Sequence, residues 1–381
     1  MIYFDNSATT KPKKAVLDTF YKVAEDYFGN PSSVHHLGLQ GENLLSQARN
    51  QIATLLKADE REIIFTSGGT EGNNFIIKGV AEKYRHRGNH IITTMIEHPS
   101  VLNTCIQLEK NGFEVTYLPV DETGRVRVED VQKAIRKDTI LVSIMHVNNE
   151  IGSVQPIAKI GELLKSYPKT LFHVDHVQGV TKLPLDFHEN HVDFASISSH
   201  KFNGLKGTGA IYIRKGLKLA PLLAGGGQER GLRSGTENLP GIVAMAKALR
   251  LGMLDYEEKI DKMMDVRDFL INELSLIEGV TINTPKQNTA PHIINFSVHG
   301  FKAEVLVHEL EQHGLYVSTT SACSSRMNEP SRTILAMGLG EERATTSLRI
   351  SLSFDNTKEE AKQALDIIKQ SIKNLKPVMR G

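Results

Sequence analysis

The chain predicts an α/β fold, with a large domain built on a mostly parallel seven-stranded sheet between helices and a smaller α+β domain after it. Three observations point there. From about residue 60 to 215, short apolar runs alternate with helix-like segments, and such alternation builds a parallel sheet covered by helices on both faces. Nearly every apolar run empties into a polar loop, and in sheets of this kind ligands bind beyond the carboxyl ends of the strands. After about residue 250 the alternation gives way to long charged helices and scattered strands. At 381 residues there is room for two domains of roughly 150 residues each, and the join falls in the helical region 240–265.

The strands of the sheet are EIIFTS (62–67), HIITTM (90–95), EVTYLPV (114–120), TILVSIMHV (139–147), LFHVD (171–175), DFASIS (193–198) and AIYIR (210–214). Amphipathic stretches such as IAKIGELLKSY (157–167) lie between several of them. Beyond residue 250 the order is a long charged helix (LDYEEKIDKMMDVRDFLINELS), strands VTINT and HIINFSV, helix AEVLVHELEQHG, strand SLRISLSF and a closing amphipathic helix over 358–375.

Bulk properties exclude several classes. With 45 basic and 44 acidic residues the formal charge is +1, so no field attracts nucleic acid or an anionic membrane. No apolar run approaches the ~20 residues of a membrane span. The start, MIYFDNSATTKPKK, lacks the apolar core of a secretory signal, and the protein reads as cytoplasmic. Two cysteines, Cys105 and Cys323, make no disulfide framework. Cys105 shares a helical face with Val101 and Leu108 and is expected to be a small buried hydrophobe. Cys323 lies in YVSTTSACSSRMNEPS, which has no apolar periodicity; exposure there is the precondition for thiol reactivity.

The loops carry the chemistry. Lys201 follows a buried strand within SSHKFNGLKGTG, where low dielectric disfavours the charged amine and makes it a nucleophile toward aldehydes. Most lysines are solvated surface charges, so the motif alone is weak. TSGGTEGNN, with Gly69 and Thr70, sets free N–H groups and a hydroxyl at a helix start, which is either an anion site or a structural turn. His98 precedes a proline and is either a packed core residue or a ring that stacks on a flat cofactor and shuttles protons. Asp175 ends an apolar strand, where an unpaired carboxylate is costly to bury, and a protonated pyridine nitrogen would satisfy it. Gln178 follows three residues later and could donate to a phenolate oxygen. A metal site from His173, His176, His188 and His191 matches no zinc spacing. Taken together, Asp175 for a ring nitrogen, Lys201 for an aldehyde, and Thr70, Ser198 and His200 for a phosphate specify pyridoxal 5'-phosphate.

With these motifs in place, the sequence closely resembles the NifS/IscS-type cysteine desulfurases, of the class V aminotransferase group and fold type I of the pyridoxal phosphate enzymes. The resemblance runs through YFDNSATT (3–10), GNPSSVH (29–35), FTSGGTEGNN (65–74), EHPS (97–100), HVNNEIG (146–152), HVDHVQ (173–178), SSHKFNGLKGTG (198–209), GGGQERGLRSGTEN (225–238), SACSS (321–325) and SLRISLS (347–353). It implies a large domain over residues 13–252 and a small domain from residues 1–12 and 253–381. It implies Lys201 as the lysine that bonds the cofactor's aldehyde and later moves the Cα proton, Asp175 at the pyridine nitrogen, Gln178 at the phenolic oxygen and His98 stacked on the ring. Gly69, Thr70, Ser198 and His200 fall at the phosphate, and Asn149 beside cofactor and substrate. Thr236 matches a residue that reaches the neighbouring subunit's phosphate, so a homodimer with shared active sites is implied. Arg349 matches the grip on the substrate carboxylate, and Cys323 the thiol that takes sulfur as a persulfide.

The implied reaction converts L-cysteine to L-alanine, with sulfur passed on to an acceptor protein. The alternatives are another class V enzyme, such as a selenocysteine lyase or aminotransferase, and a non-catalytic dimeric scaffold. Two departures stand out. His176 occupies a position usually held by a small residue, where it is expected to crowd the ring, tune it or add a second proton relay. The chain stops soon after its last helix, which leaves tRNA thiolation or thiamine synthesis as open as an iron–sulfur scaffold.

Overall fold

In the computed structural model, which describes residues 1–319 and 330–375, the seven strands expected from the sequence join one sheet. β1 (Ile2–Tyr3) precedes them; they are β2 (Ile63–Thr66), β3 (His90–Thr94), β4 (Glu114–Leu118), β5 (Thr139–Met145), β6 (Leu171–Asp175), β7 (Phe194–Ser198) and β8 (Gly209–Ile213). Their order across the sheet is β2-β8-β7-β6-β5-β3-β4. Only β8 runs antiparallel to its neighbours; the other pairs are parallel. All seven residues of β5 and all five of β6 and β7 are buried, as strands covered on both faces must be, and this is why they read as unbroken apolar runs. Helices Gly69–Tyr84 and Pro99–Glu109 cover one face, where Phe75, Ile76 and Cys105 pack against Ile91 and Leu141. The Cys105 thiol is fully buried there, and burial pushes its pKa up to about 12. Helix Ile157–Leu164 packs on a separate cluster with Val142, Val174 and Phe172.

The second sheet is antiparallel. It contains β9 (Val280–Ile282), β10 (Ile293–Val298), β12 (Ser318–Thr319) and β13 (Ser347–Ser351) in the order β12-β13-β10-β9. β11 (Leu315–Tyr316) pairs in parallel with β1, so the N-terminus joins this part of the molecule. Ile2 and Phe4 share a core with Leu270, Phe296, Ile350 and Ile368. Helix Leu239–Met253 ends just before Asp255, whose φ of 50° turns the chain into helix Tyr256–Ser275.

A buried ion pair ties the helical layer to the edge of the large sheet. Arg49, on helix His36–Leu55, grips Glu229 through two bonds of 2.8 and 2.7 Å, and Glu229 also accepts the Phe65 N–H at 2.9 Å. Removing one partner strands the other charge in the interior. Arg49→Met is expected to lower the unfolding free energy by about 3–5 kcal/mol, read from urea unfolding. A change within ~0.5 kcal/mol, typical of surface positions, would show that Glu229 is solvated.

Candidate active site

The carboxyl edge of the large sheet opens into a cavity of about 240 Å³. Ten residues expected at the site line it: Gly69, Thr70, His98, Asn149, Asp175, Gln178, Ser198, His200, Lys201 and Arg349. Each arrives by a different local device. Gly69 and Thr70 open helix Gly69–Tyr84 behind Gly68, whose φ of +150° only glycine adopts without strain. The chain is crowded there, since a Cβ on Gly209 would lie 2.6 Å from the Gly68 Cα. Ser198 ends β7, and a short 3₁₀ turn, Ser199–Lys201, swings His200 and Lys201 past the strand end.

Asp175 is the last residue of β6 and 7% exposed. Its carboxylate accepts from Asn73 Nδ2 at 2.7 Å and from the Val177 N–H at 3.0 Å. Lys201 Nζ donates to the carbonyl oxygens of Ser7 and Ala8 on the N-terminal arm, the latter at 2.9 Å. Gln178 Nε2 donates to the same Ser7 oxygen at 3.1 Å, and Gln178 Oε1 lies 3.3 Å from His292 Nε2. Thr9 Oγ1 lies 3.2 Å from His200 Nδ1.

His98 caps helix Pro99–Glu109, accepting the Ser100 N–H on Nδ1 at 3.1 Å while Ser100 Oγ lies 2.8 Å from the same atom. Burial lowers the pKa of His98; the Asp175 charge opposes that shift and Lys201 adds to it. Burial, assisted by Lys201, takes His200 down to about 4. Arg349, 2% exposed, donates to the Asn149 carbonyl at 2.8 Å, to Ser318 Oγ at 2.8 Å and to Asp5 Oδ1 at 3.1 Å.

Two expected residues are not among those lining the cavity. Thr236 is exposed and lines no part of it. Cys323 lies outside the described residues; the chain approaches that segment from Ser318–Thr319, paired in register with Arg349 and Leu348. His176 corrects an expectation, for it does not face the ring site. Its Nδ1 lies 2.9 Å from His146 Nδ1, and its ring meets Phe187 edge-on at 5.7 Å. It lines a separate hollow of about 90 Å³ with Leu55 and Tyr256. The four histidines weighed as a metal set go to different partners: His173 to Ser143, His176 to His146, His188 to Glu62 and His191 to Glu162.

The structure also adds residues to which the sequence reading gave no role. Ser7, Ala8, Asn73 and Ser100 line the same cavity. The signal was in the motifs themselves, since DNSATT, TEGNN and EHPS place small polar residues beside those assigned.

The family model described as aminotransferase class-V matches residues 2–364. A NifS/IcsS protein homolog of Lactobacillus delbrueckii subsp. bulgaricus is 50% identical over 363 residues, 95% of this chain and 94% of the relative. A cysteine desulfurase IscS of Dictyoglomus turgidum is 45% identical over 378 residues, 99% of this chain and 96% of the relative. Among solved structures, a NifS-like protein superposes with a TM-score of 0.93 at 40% identity, covering 98% of this chain and 100% of the other. One described as SspA in complex with cysteine superposes at 0.82 with 37% identity, over 92% of this chain and 99% of the other. With its sheet order, its cavity and these full-length likenesses agreeing, the chain belongs to the class-V aminotransferases and, among them, to the NifS/IscS-type cysteine desulfurases.

Proposed function

We propose that the protein converts L-cysteine to L-alanine with pyridoxal phosphate, transfers the sulfur to Cys323 as a persulfide and hands it to an acceptor protein in the cytoplasm. The observation that carries this reading is the meeting of Lys201, Asp175 and Arg349 in one cavity, in a chain 45% identical to a cysteine desulfurase over nearly its whole length. A solved relative at 37% identity was captured with cysteine, which supports the substrate.

The donor set fits the cofactor. Asp175 offers a buried carboxylate for a ring nitrogen, Lys201 an amine for the aldehyde, and Gly69, Thr70, Ser198 and His200 offer N–H, hydroxyl and imidazole donors for a phosphate at a helix start. When bound, pyridoxal phosphate supplies an electron sink for negative charge at the substrate Cα. Lys201 would move the Cα proton, and His98, whose pKa burial lowers, would stand against the ring and relay protons. Arg349 grips the substrate carboxylate; Asn149, whose carbonyl it already holds, sits beside it. Gln178 is set for the phenolic oxygen. Thr236, exposed here, would complete the partner subunit's phosphate site in a homodimer. The division into residues 13–252 against 1–12 and 253–381 is supported by Ile2 and Phe4 lying in the core of the antiparallel sheet.

Glu97 shapes the charge around Asp175. It is fully enclosed, accepts from Thr94 at 2.7 Å and from the Met145 N–H at 3.0 Å, and its Oε2 has no partner. Burial, with Asp175 adding to it, pushes its pKa up to about 8. Neutral at pH 7, Glu97 adds no second charge beside the Asp175 carboxyl group.

In the presence of reductant, wild type is expected to release alanine and sulfide from L-cysteine, and Cys323→Ser to release neither while keeping the cofactor's yellow colour. Sulfide from Cys323→Ser at the wild-type rate would remove the persulfide role. After borohydride treatment, peptide mapping should find the pyridoxyl group on Lys201 and nowhere in Lys201→Ala. Arg349→Lys should raise KM for cysteine about 10- to 100-fold, as loss of a bidentate charged contact predicts; an unchanged KM places the carboxylate elsewhere. The raised Glu97 pKa means that the folded state holds a proton the unfolded chain releases between about 4.5 and about 8. Its contribution is therefore complete below that window and lost as pH rises through it. Glu97→Gln should flatten the fall in Tm between pH 5 and 8, whereas an identical slope in both proteins would show that Glu97 is ionised in the fold.

A further inference from the structure

We propose that Asn73 is a positioning residue that couples Asp175 to His98, so that one buried amide aims both groups into the cavity. The inference rests on the cavity being the pyridoxal phosphate site. Asn73 lies in the first turns of helix Gly69–Tyr84 and is 1% exposed. The helix presses close because residue 72 is glycine: a Cβ there would lie 3.0 Å from Ile211 Cγ2 and 3.1 Å from Ser196 Cβ. Asn73 thereby meets the end of β6 and the middle of β7, where Asp175 and Ser196 are register partners.

Chemistry dictates the direction of every bond in this cluster. Asp175 as a carboxylate only accepts, so the amide must turn Nδ2 toward it, at 2.7 Å. Oδ1 then faces Ser196, whose hydroxyl donates to it. The second Nδ2 hydrogen goes to Ser100 Oγ at 2.8 Å. Ser100 Oγ, having accepted, donates its own hydrogen to His98 Nδ1 at 2.8 Å, beside the Ser100 backbone N–H on the same atom. Nδ1 is thus an acceptor twice over, and neutral His98 carries its hydrogen on Nε2. Every hydrogen of the Asn73 amide has one destination, and among the described residues no other side chain is hydrogen-bonded to both Asp175 and Ser100. An acceptor-only group at position 73 breaks both at once.

The test compares wild type with Asn73→Asp, which keeps the shape and the acceptor for Ser196 but has no hydrogens to give, and with Ser100→Ala, which cuts only the His98 branch. Asn73→Leu, similar in size and without donors, stands in if Asn73→Asp does not fold, as judged by Tm. The readouts are the Kd for pyridoxal phosphate by equilibrium dialysis, the visible absorption of the bound cofactor against pH, and the pH profile of kcat.

Asn73→Asp and Asn73→Leu should weaken the cofactor about 10- to 100-fold, the range for losing a hydrogen bond to a charged group, and shift the pH dependence of the absorption. Ser100→Ala should keep the Kd and move only the pH profile of kcat. A purely packing role predicts the opposite for Asn73→Leu, which would then keep both Kd and spectrum; that result overturns the proposal. Wild type that binds no pyridoxal phosphate would overturn the reading of the cavity itself, and this inference with it.

Discussion

One carboxylate organises this site. Asp175 ends a strand buried on both faces, and the groups hydrogen-bonded to it, Asn73 and the Val177 N–H, are neutral donors. A buried anion satisfied only by dipoles still favours a cation within reach. The surroundings remove the competitors. Burial pushes Glu97 toward its neutral acid and His98, His146, His173, His176 and His292 toward neutral imidazoles. Among the described residues that line the cavity, Asp175 is therefore the one carboxylate, and burial disfavours an imidazolium on His98 or His200 beside it.

The N-terminal arm joins this charge to the second sheet. Phe4 is anchored in the core beneath β10 and β13, and Ser7 bonds Ser351 on β13 through its N–H at 2.8 Å. From that anchor the arm offers the Ser7 carbonyl to both Lys201 and Gln178, and the hydroxyls of Thr9 and Thr10 to His200. Groups from the large sheet are thus held by a strand end that belongs to the small one. A loss of packing at Phe4 would be felt at the Lys201 amine, although the two residues lie almost two hundred positions apart in the chain.

Much of this was legible in the residues, and the failures have physical causes. The central strands showed because burial on both faces forces an unbroken apolar run, as in TILVSIM. The short strands Ile2–Tyr3, Leu315–Tyr316 and Ser318–Thr319 escaped because two residues have no period to detect. Asp175 and Lys201 were readable because a charge at the end of an apolar strand demands a reason. Asn73 was not, since a neutral amide in a helix carries no such demand and its value lies in partners on other elements. His176 was placed beside the ring because it follows Asp175, yet successive side chains of an extended chain point to opposite faces. Its imidazole accordingly joins His146 and Phe187 on the reverse side, where a larger residue alters packing rather than the ring.

Arg349 links the cavity to the last described strand before residue 320. Its guanidinium is divided among Asp5 on the arm, the Asn149 carbonyl beyond β5 and the Ser318 hydroxyl on β12. A guanidinium holds its five hydrogens in one fixed plane, so a single rigid group sets where these partners stand relative to one another. The Ser318 contact sits at the last described strand before residue 320. One buried cation thereby ties the N-terminal arm and the loop after β5 to β12 at the wall of the cavity.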